Sequence, residues 1–221
     1  MADFTCDSCG SSFTLSETIL GRYPGWTPRQ CRDCRDSGAT PAARGGIAAG
    51  AVRGGRKRPS VEENLTVAEV LAKYADGPAD GVFTDGSCEP NPGPGGWGAV
   101  YVVGGEVVDQ AHGQEPMTTN NRMELTALIQ GVLLVPVGTP AVVYSDSRLV
   151  IDTLTKWAAS WERNGWKRKT GPVQNLELVQ EAYALVAARP ELRLEWIAAH
   201  AGSRWNEYAD ALSTAYRRDT V

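Results

Sequence analysis

Four acidic residues stand in short, distinctive contexts. Asp85 lies in Thr84-Asp85-Gly86-Ser87-Cys88-Glu89-Pro90-Asn91, where an apolar run from Gly81 reads as a strand and then turns sharply through Pro and Gly. Glu124 closes Thr118-Thr119-Asn120-Asn121-Arg122-Met123-Glu124, and Asp146 sits in Tyr144-Ser145-Asp146-Ser147. Asp210 follows the His200 of His200-Ala201-Gly202 by ten residues. Hydrolysis of a phosphodiester at neutral pH needs an activated water and a stabilised leaving oxygen, and two divalent cations about 3.5–4 Å apart supply both. Carboxylate oxygens suit Mg²⁺ or Mn²⁺. Acids from several elements that converge in space could do this chemistry, whereas any one of them taken singly reads as a solvated surface group.

The elements that must carry these residues are of mixed α/β type. Residues 81–87, 96–103 and 106–113 read as an antiparallel meander with Gly104-Gly105 as its hairpin turn. The segment from Asn120 to about Val135 carries an apolar face of Met123, Leu125, Leu128, Ile129, Val132 and Leu133 and reads as a helix. Ala141–Tyr144 is a short buried strand, 147–159 and 173–188 are helices, 192–197 is a strand and 205–218 a helix. Asp85 is then mid-strand, Glu124 is on the first helix of the domain, and Asp146 is at the carboxyl edge of a strand, where open α/β sheets gather their sites. Asp210 lies in the last helix. Ser60 with Glu63 and Thr66 with Glu69 fit capping boxes, so a short helix is expected up to about Tyr74.

The chain of 221 residues has 42% hydrophobic and 22% charged content, ordinary for a globular protein with room for one medium domain and something small. No apolar run is long enough to cross a membrane, and the N-terminus lacks the basic-then-apolar pattern of a secretory signal, so a cytoplasmic location is expected. The net charge of −4 conceals an asymmetry: residues 1–59 carry 9 Lys+Arg against 5 Asp+Glu, and the rest carries 13 against 21. Local basic patches, not the total, would meet nucleic-acid phosphate. One such patch runs from Lys156 to Lys169, with five basic residues, one acid and three Trp. It reads either as a helix–loop corner anchored by its Trp residues or as a surface that grips a polyanion.

Taken in order, the Asp85, Glu124, Asp146 and His200–Asp210 motifs resemble ribonuclease H type 1, the endonuclease that cuts RNA paired to DNA, over roughly residues 80–218. The resemblance implies a mixed five-stranded sheet with helices on both faces. It implies cleavage of the RNA strand to 5′-phosphate and 3′-hydroxyl ends, by a monomer, with two Mg²⁺ (or Mn²⁺) held by Asp85, Glu124, Asp146 and Asp210. In it Asp85 bridges both ions, Asp146 holds the one that activates water, Glu124 and Asp210 favour the other, and His200 assists proton transfer or product departure. Asn120 and Asn121 offer amides for 2′-hydroxyls in the minor groove, and Asn91 and Thr119 bind a phosphate of the DNA strand. Local uses compete: Thr119 or Asn120 as a helix N-cap, Asn91 as a turn former. The Trp-x3-Trp-x4-Trp-Lys spacing of Trp157, Trp161 and Trp166 matches the basic protrusion with which many bacterial members grip the hybrid, which would use Lys167, Arg168 and Lys169. Arg148 departs from the Gln common in the family and could add a phosphate contact. Ala199 and Gly202-Ser203-Arg204-Trp205 depart too, which bears on the loop. Asp152, Glu177 and Glu207 are minor metal candidates, and no function is assigned to His112. Two other readings remain: a hybrid-binding protein on an inactive fold of this kind, opposed by the presence of all four acids, and a resolvase or integrase, opposed by Thr119–Glu124.

Residues 1–36 form a separate unit by composition. Cys6-x2-Cys9 and Cys31-x2-Cys34 are two knuckles with 21 residues between them, a spacing that fits a tetrahedral Zn²⁺, with iron as the rival. So short a segment cannot fold on its own core, and a metal would supply the stability. The module resembles small zinc ribbons, and its partner is either nucleic acid or protein. Residues 37–59, rich in Gly, Ala and Arg, read as a flexible linker, and 60–79 as a helical lead-in. Cys88 is left over and reads as structural.

Overall fold

The computed structural model describes residues 2–6, 9–15, 64–168 and 170–218. They fall in two compact units, one within Met1–Arg58 and one within Pro59–Val221. Cys31, Cys34, the 37–59 linker and Lys169 lie outside the described residues. In the first unit, β1 (Ala2–Thr5) and β2 (Ser12–Leu15) form an antiparallel hairpin in which Phe4 faces Phe13, ring centroids 5.8 Å apart.

The second unit opens with α1 (Val67–Lys73), whose start is the expected capping box: Thr66 Oγ1 accepts from the Glu69 amide at 3.3 Å and Glu69 Oε2 accepts from the Thr66 amide at 2.8 Å. Strands β3 (Gly81–Cys88), β4 (Gly93–Val103) and β5 (Glu106–Thr118) form the antiparallel meander. Helix α2 (Asn120–Leu134) leads to β6 (Ala141–Ser145), which pairs parallel to β3. A continuous helical stretch follows, in three parts: α3 (Arg148–Asp152), a wide π-turn (Thr153–Trp157) and α4 (Ala158–Arg163). Next come the two-residue ribbon of β7 (Lys167–Arg168) and β8 (Gly171–Pro172), α5 (Leu176–Ala187), β9 (Leu192–Trp196), α6 (Arg204–Ser213) and a 3₁₀ turn at Ala215–Arg217. The sheet order is β5-β4-β3-β6-β9, with β9 parallel to β6, so the expected mixed five-stranded sheet with helices on both faces is present.

Alternation along β3 sends Val82 to one face and Phe83 to the other. Val82 belongs to a core with Leu125, Leu128, Ile129 and Val132 of α2, while Phe83 belongs to a second core with Val70 of α1 and Trp205, Tyr208 and Leu212 of α6. Val82 and Phe83 are wholly buried, and each such side chain contributes roughly 1.5–3 kcal/mol. The lead-in is thus part of this domain's packing, tied further by Arg218, which donates to Leu65 O and Asn64 Oδ1. Two glycines let the helices close on the sheet. A Cβ on Gly86 would sit 2.2 Å from the Glu124 backbone nitrogen, and one on Gly98 would sit 2.5 Å from Leu212 Cβ and 2.6 Å from Ala209 O. Those approaches fix α2 on one face and α6 on the other.

Several boundaries differ from the sequence reading. Strands β4 and β5 extend to Gly93 and Thr118 because those residues pair with each other, a non-local choice that turn residues do not announce. The 147–159 helix runs on to Arg163 through its π-turn. The 173–188 helix starts only at Leu176, after Asn175 takes a left-handed φ of 52°. The last helix ends at Ser213. Among the described residues no helix is long and apolar enough to cross a membrane.

Candidate active site

Asp85 pairs directly with Gly98, so its side chain shares the face on which α6 approaches. Glu124, one turn into α2, stands beside Gly86, and Asp146 lies just past the end of β6. The three carboxyls each offer an oxygen within 4.8 Å of the others. Asp85 and Glu124 are 7% and 6% exposed. Their carboxyls are pushed well above the usual range, first by burial and then by one another's charge: Asp146 and Asp210 act on Asp85, and Asp85 and Asp146 act on Glu124. Asp146 is raised by burial, with the Asn206 amide and His200 opposing.

Hydrogen bonds orient this cluster. Ser213 Oγ donates to Asp85 Oδ2 at 2.5 Å, Asn206 Nδ2 to Asp146 Oδ2 at 3.4 Å, and Asn120 Nδ2 to Glu124 Oε1 at 3.4 Å. The other Glu124 oxygen, Oε2, is buried without a hydrogen-bond partner among the described residues. Crowded, buried oxygens with raised pKa values and an orphaned acceptor fit a divalent cation, because positive charge is what they lack.

Asp210, partly buried, belongs to a second group at the rim, where His200, Glu207 and Asp210 each offer an atom within 4.8 Å of the others. Its charge still reaches Asp85. His200 has a left-handed φ of 47° on the loop between β9 and α6, and its Nδ1 lies 3.7 Å from Glu207 Oε2. Glu207 Oε1 accepts from the Gly202 amide at 3.2 Å, bracing that loop.

Of the expected substrate residues, Asn91 and Asn120 stand beside this centre and also make structural hydrogen bonds. Asn91 Oδ1 accepts from the Asn120 amide at 3.3 Å and so caps α2 from the neighbouring turn, while the N-cap residue Thr119 makes no side-chain capping bond. Asn120 braces Glu124. Asn121 lines one cleft with Trp157, Trp161 and Arg168. Arg168 stacks over Trp161 at 5.7 Å and donates to Pro172 O at 2.6 Å, and Lys167 is exposed beside it. Arg148 is exposed and lies 3.9 Å from the Trp196 ring, whose Nε1 donates to Asp146 O at 3.0 Å. Of the minor candidates, Asp152 pairs with Lys156 and Glu177 with Arg122, and only Glu207 joins the site. Cys88 is buried amid the carbonyls of Pro90, Gly93 and Thr118, a structural role. His112 is paired opposite Gly98 in β5. Asn206 and Ser213 had no signal in the sequence, since their partners lie 60 and 128 residues away.

Carboxyls from a strand, a helix and a strand end thus meet on this mixed sheet in a group that could hold a metal ion. A family model described as RNase H matches residues 79–217, and the chain belongs to that family. A ribonuclease H of Methylorubrum extorquens is 44% identical over 140 residues, 63% of this chain and 60% of that protein. One of Alcanivorax borkumensis is 44% identical over 135 residues, 60% of this chain and 87% of that protein. Among solved structures, LC9-RNase H1, described as a type 1 RNase H with the type 2 active-site motif, is 36% identical with a TM-score of 0.52, covering 64% of this chain and 74% of that one. The foamy viral protease–reverse transcriptase, at 18% identity and a TM-score of 0.55, covers 62% of this chain and 92% of that one and shares the fold alone.

Proposed function

We propose that this chain hydrolyses the RNA strand of RNA/DNA hybrids endonucleolytically, leaving 5′-phosphate and 3′-hydroxyl ends. The observation that carries this reading is the trio Asp85, Glu124 and Asp146, the first two buried and the third half-buried, crowded together, with Glu124 Oε2 lacking a hydrogen-bond partner among the described residues. Asp85, Glu124, Asp146 and Asp210 would hold two Mg²⁺, or Mn²⁺ in their stead. When bound, the ions supply charge against the phosphate and lower the barrier to attack by water. The chain's own residues do the rest. Asn120, Asn206 and Ser213 keep the carboxylates aimed. His200, 40% exposed at its side chain, can exchange a proton with a departing product while Glu207 holds its ring. Asn91, Thr119 and Asn121 meet the hybrid near the site, Arg148 meets a phosphate, and Trp157, Trp161, Lys167, Arg168 and Lys169 grip the backbone further out.

The test uses a hybrid labelled on its RNA strand, an all-DNA duplex and Asp85→Asn, with Mg²⁺ and then Mn²⁺. RNA cut only in the hybrid and lost in the variant is the expected result. Binding without cleavage in either ion would move the chain to a hybrid-binding role.

For the N-terminal unit we infer a structural Zn²⁺ held by Cys6, Cys9, Cys31 and Cys34. The turn between β1 and β2 supports it: the Gly10 amide donates to Cys6 O and the Cys6 amide to Ser11 O, both at 2.9 Å, the tight fold-back of a metal knuckle. Metal analysis of the purified chain distinguishes zinc from iron. Deleting residues 1–59 tests what the module does: weaker hybrid binding means a nucleic-acid contact, and unchanged binding discards that role.

A further inference from the structure

Ser213 is the last residue of α6, wholly buried, and its hydroxyl has two acceptors in reach: Asp85 Oδ2 at 2.5 Å and Asp210 O at 3.0 Å. A hydroxyl has one proton to give. The charged acceptor at the shorter distance takes it, since bonds to a carboxylate are shorter and about twice as strong as those to a neutral carbonyl. Among the described residues, the Gly86 amide also favours the charged Asp85 carboxyl. Asp85 thus rests on one amide from its own strand and one hydroxyl from a helix 128 residues away.

The end of α6 is held so that this hydroxyl cannot wander. Gly98 lets α6 close on β4, with the Ser213 nitrogen 2.8 Å from where a Cβ would be. Just beyond, Arg217 donates to Ser87 Oγ at 2.7 Å and pairs with Glu89 at 2.9 Å, and Tyr216 OH accepts from the Glu89 amide at 3.1 Å. The chain returns to β3 on both sides of Ser87, two residues from Asp85.

We propose that Ser213 is a positioning residue for the Asp85 carboxylate. Its hydroxyl fixes the side chain's rotamer and engages one lone pair of Oδ2, which leaves the remaining lone pairs in a set direction to receive a cation. The inference rests on the metal-ion reading above. Partners that orient a ligating group typically change metal affinity by about 10–100-fold when removed.

The experiment titrates MgCl₂ alone into the full-length chain and follows the thermal midpoint for the parent, Ser213→Ala, Ser213→Cys and Asp85→Asn. Binding of a labelled hybrid without added Mg²⁺ is measured alongside. Cysteine roughly keeps the volume but donates poorly, so a packing role and a hydrogen-bonding role separate. If Ser213 positions Asp85, both Ser213 variants need about ten-fold more Mg²⁺ for the same stabilisation, with hybrid binding unchanged. Equal Mg²⁺ response in all three overturns the proposal, as does a loss in the alanine variant alone, which would signal packing. Mg²⁺ that stabilises neither the parent nor any variant would sink the metal-ion reading itself. A parent response absent in Asp85→Asn keeps that reading and isolates the question to Ser213.

Discussion

Asp85 and Glu124 are 7% and 6% exposed, on a strand and a helix pressed together where Gly86 has no room for a Cβ. His200, 40% exposed at its side chain, stands on a loop with a φ of 47°, held by Glu207 at 3.7 Å. The floor of the site is rigid and electrostatically unfavourable, because its charges are desolvated and crowd one another. The rim is accessible, and its histidine is braced by a carboxylate instead of being packed. The difference supports a proposed division of labour: the floor would store a demand for positive charge, and the rim would handle exchange with solvent.

Breaking the floor should give the largest effect. Asp85→Asn or Glu124→Gln should lower cleavage of an RNA/DNA hybrid by at least about 10³-fold, the scale of losing a preorganised electrostatic contact. A loss of ten-fold or less would mean the trio is not the reaction centre. At the rim, His200→Ala should lower kcat by about 10²-fold with KM for the hybrid unchanged. Glu207→Gln should lower it about ten-fold by loosening the imidazole. Equal losses from floor and rim variants would erase the proposed division. Farther out, replacing Lys167, Arg168 and Lys169 together by Ala should raise KM about ten-fold and flatten its salt dependence, since each lost phosphate contact reduces the slope by about 0.9. An unchanged KM would return the patch to a helix–loop corner.

The smallest effect sharpens the electrostatic half of the comparison. The Asp85 carboxyl is raised in the folded chain, so its contribution to stability is full below the ordinary carboxylate value of about 4 and is lost as pH rises through the raised one. Without Mg²⁺, Asp85→Asn should therefore melt a few degrees above the parent at pH 8, at about 2–4 °C per kcal/mol. That gap should close near pH 4. A gap that stays constant across this range would mean burial of the charge is not its cause.

The sequence was most legible where chemistry is local. The Thr66–Glu69 capping box and the Gly104-Gly105 turn each lie within one turn or hairpin and are present. The apolar face of α2 is present too, except that Leu133 is 56% exposed, past the helix's last buried residue, Val132. Asp85, Glu124 and Asp146 were visible because their neighbours are part of the motif. What escaped depended on partners far along the chain. Strand ends were set by the Gly93–Thr118 pairing. Asn206 and Ser213 look like ordinary polar helix residues until α6 lies on the sheet. The grouping of Asp210 with His200 and Glu207, instead of with the trio, also depends on that packing. The π-turn at Thr153–Trp157 has no Pro or Gly to mark it. Asn91 was read as a substrate or turn residue and Asn120 as a substrate residue or N-cap; Asn91 Oδ1 in fact caps α2, and Asn120 braces Glu124.

The Asp85–Gly98 pairing has one more implication, for how correct folding could be read out. Side chains alternate along a strand, so a slip of one residue between β3 and β4 would turn Thr84 or Gly86 toward α6 in place of Asp85. Such a chain could keep most of its helices and much of its apolar burial and yet present no carboxylate at the floor. Spectroscopic helix content would scarcely notice the error, while turnover per molecule would fall in proportion to the slipped fraction. For preparations refolded from denaturant, specific activity is then a counter of strand alignment, finer than any bulk measure of secondary structure.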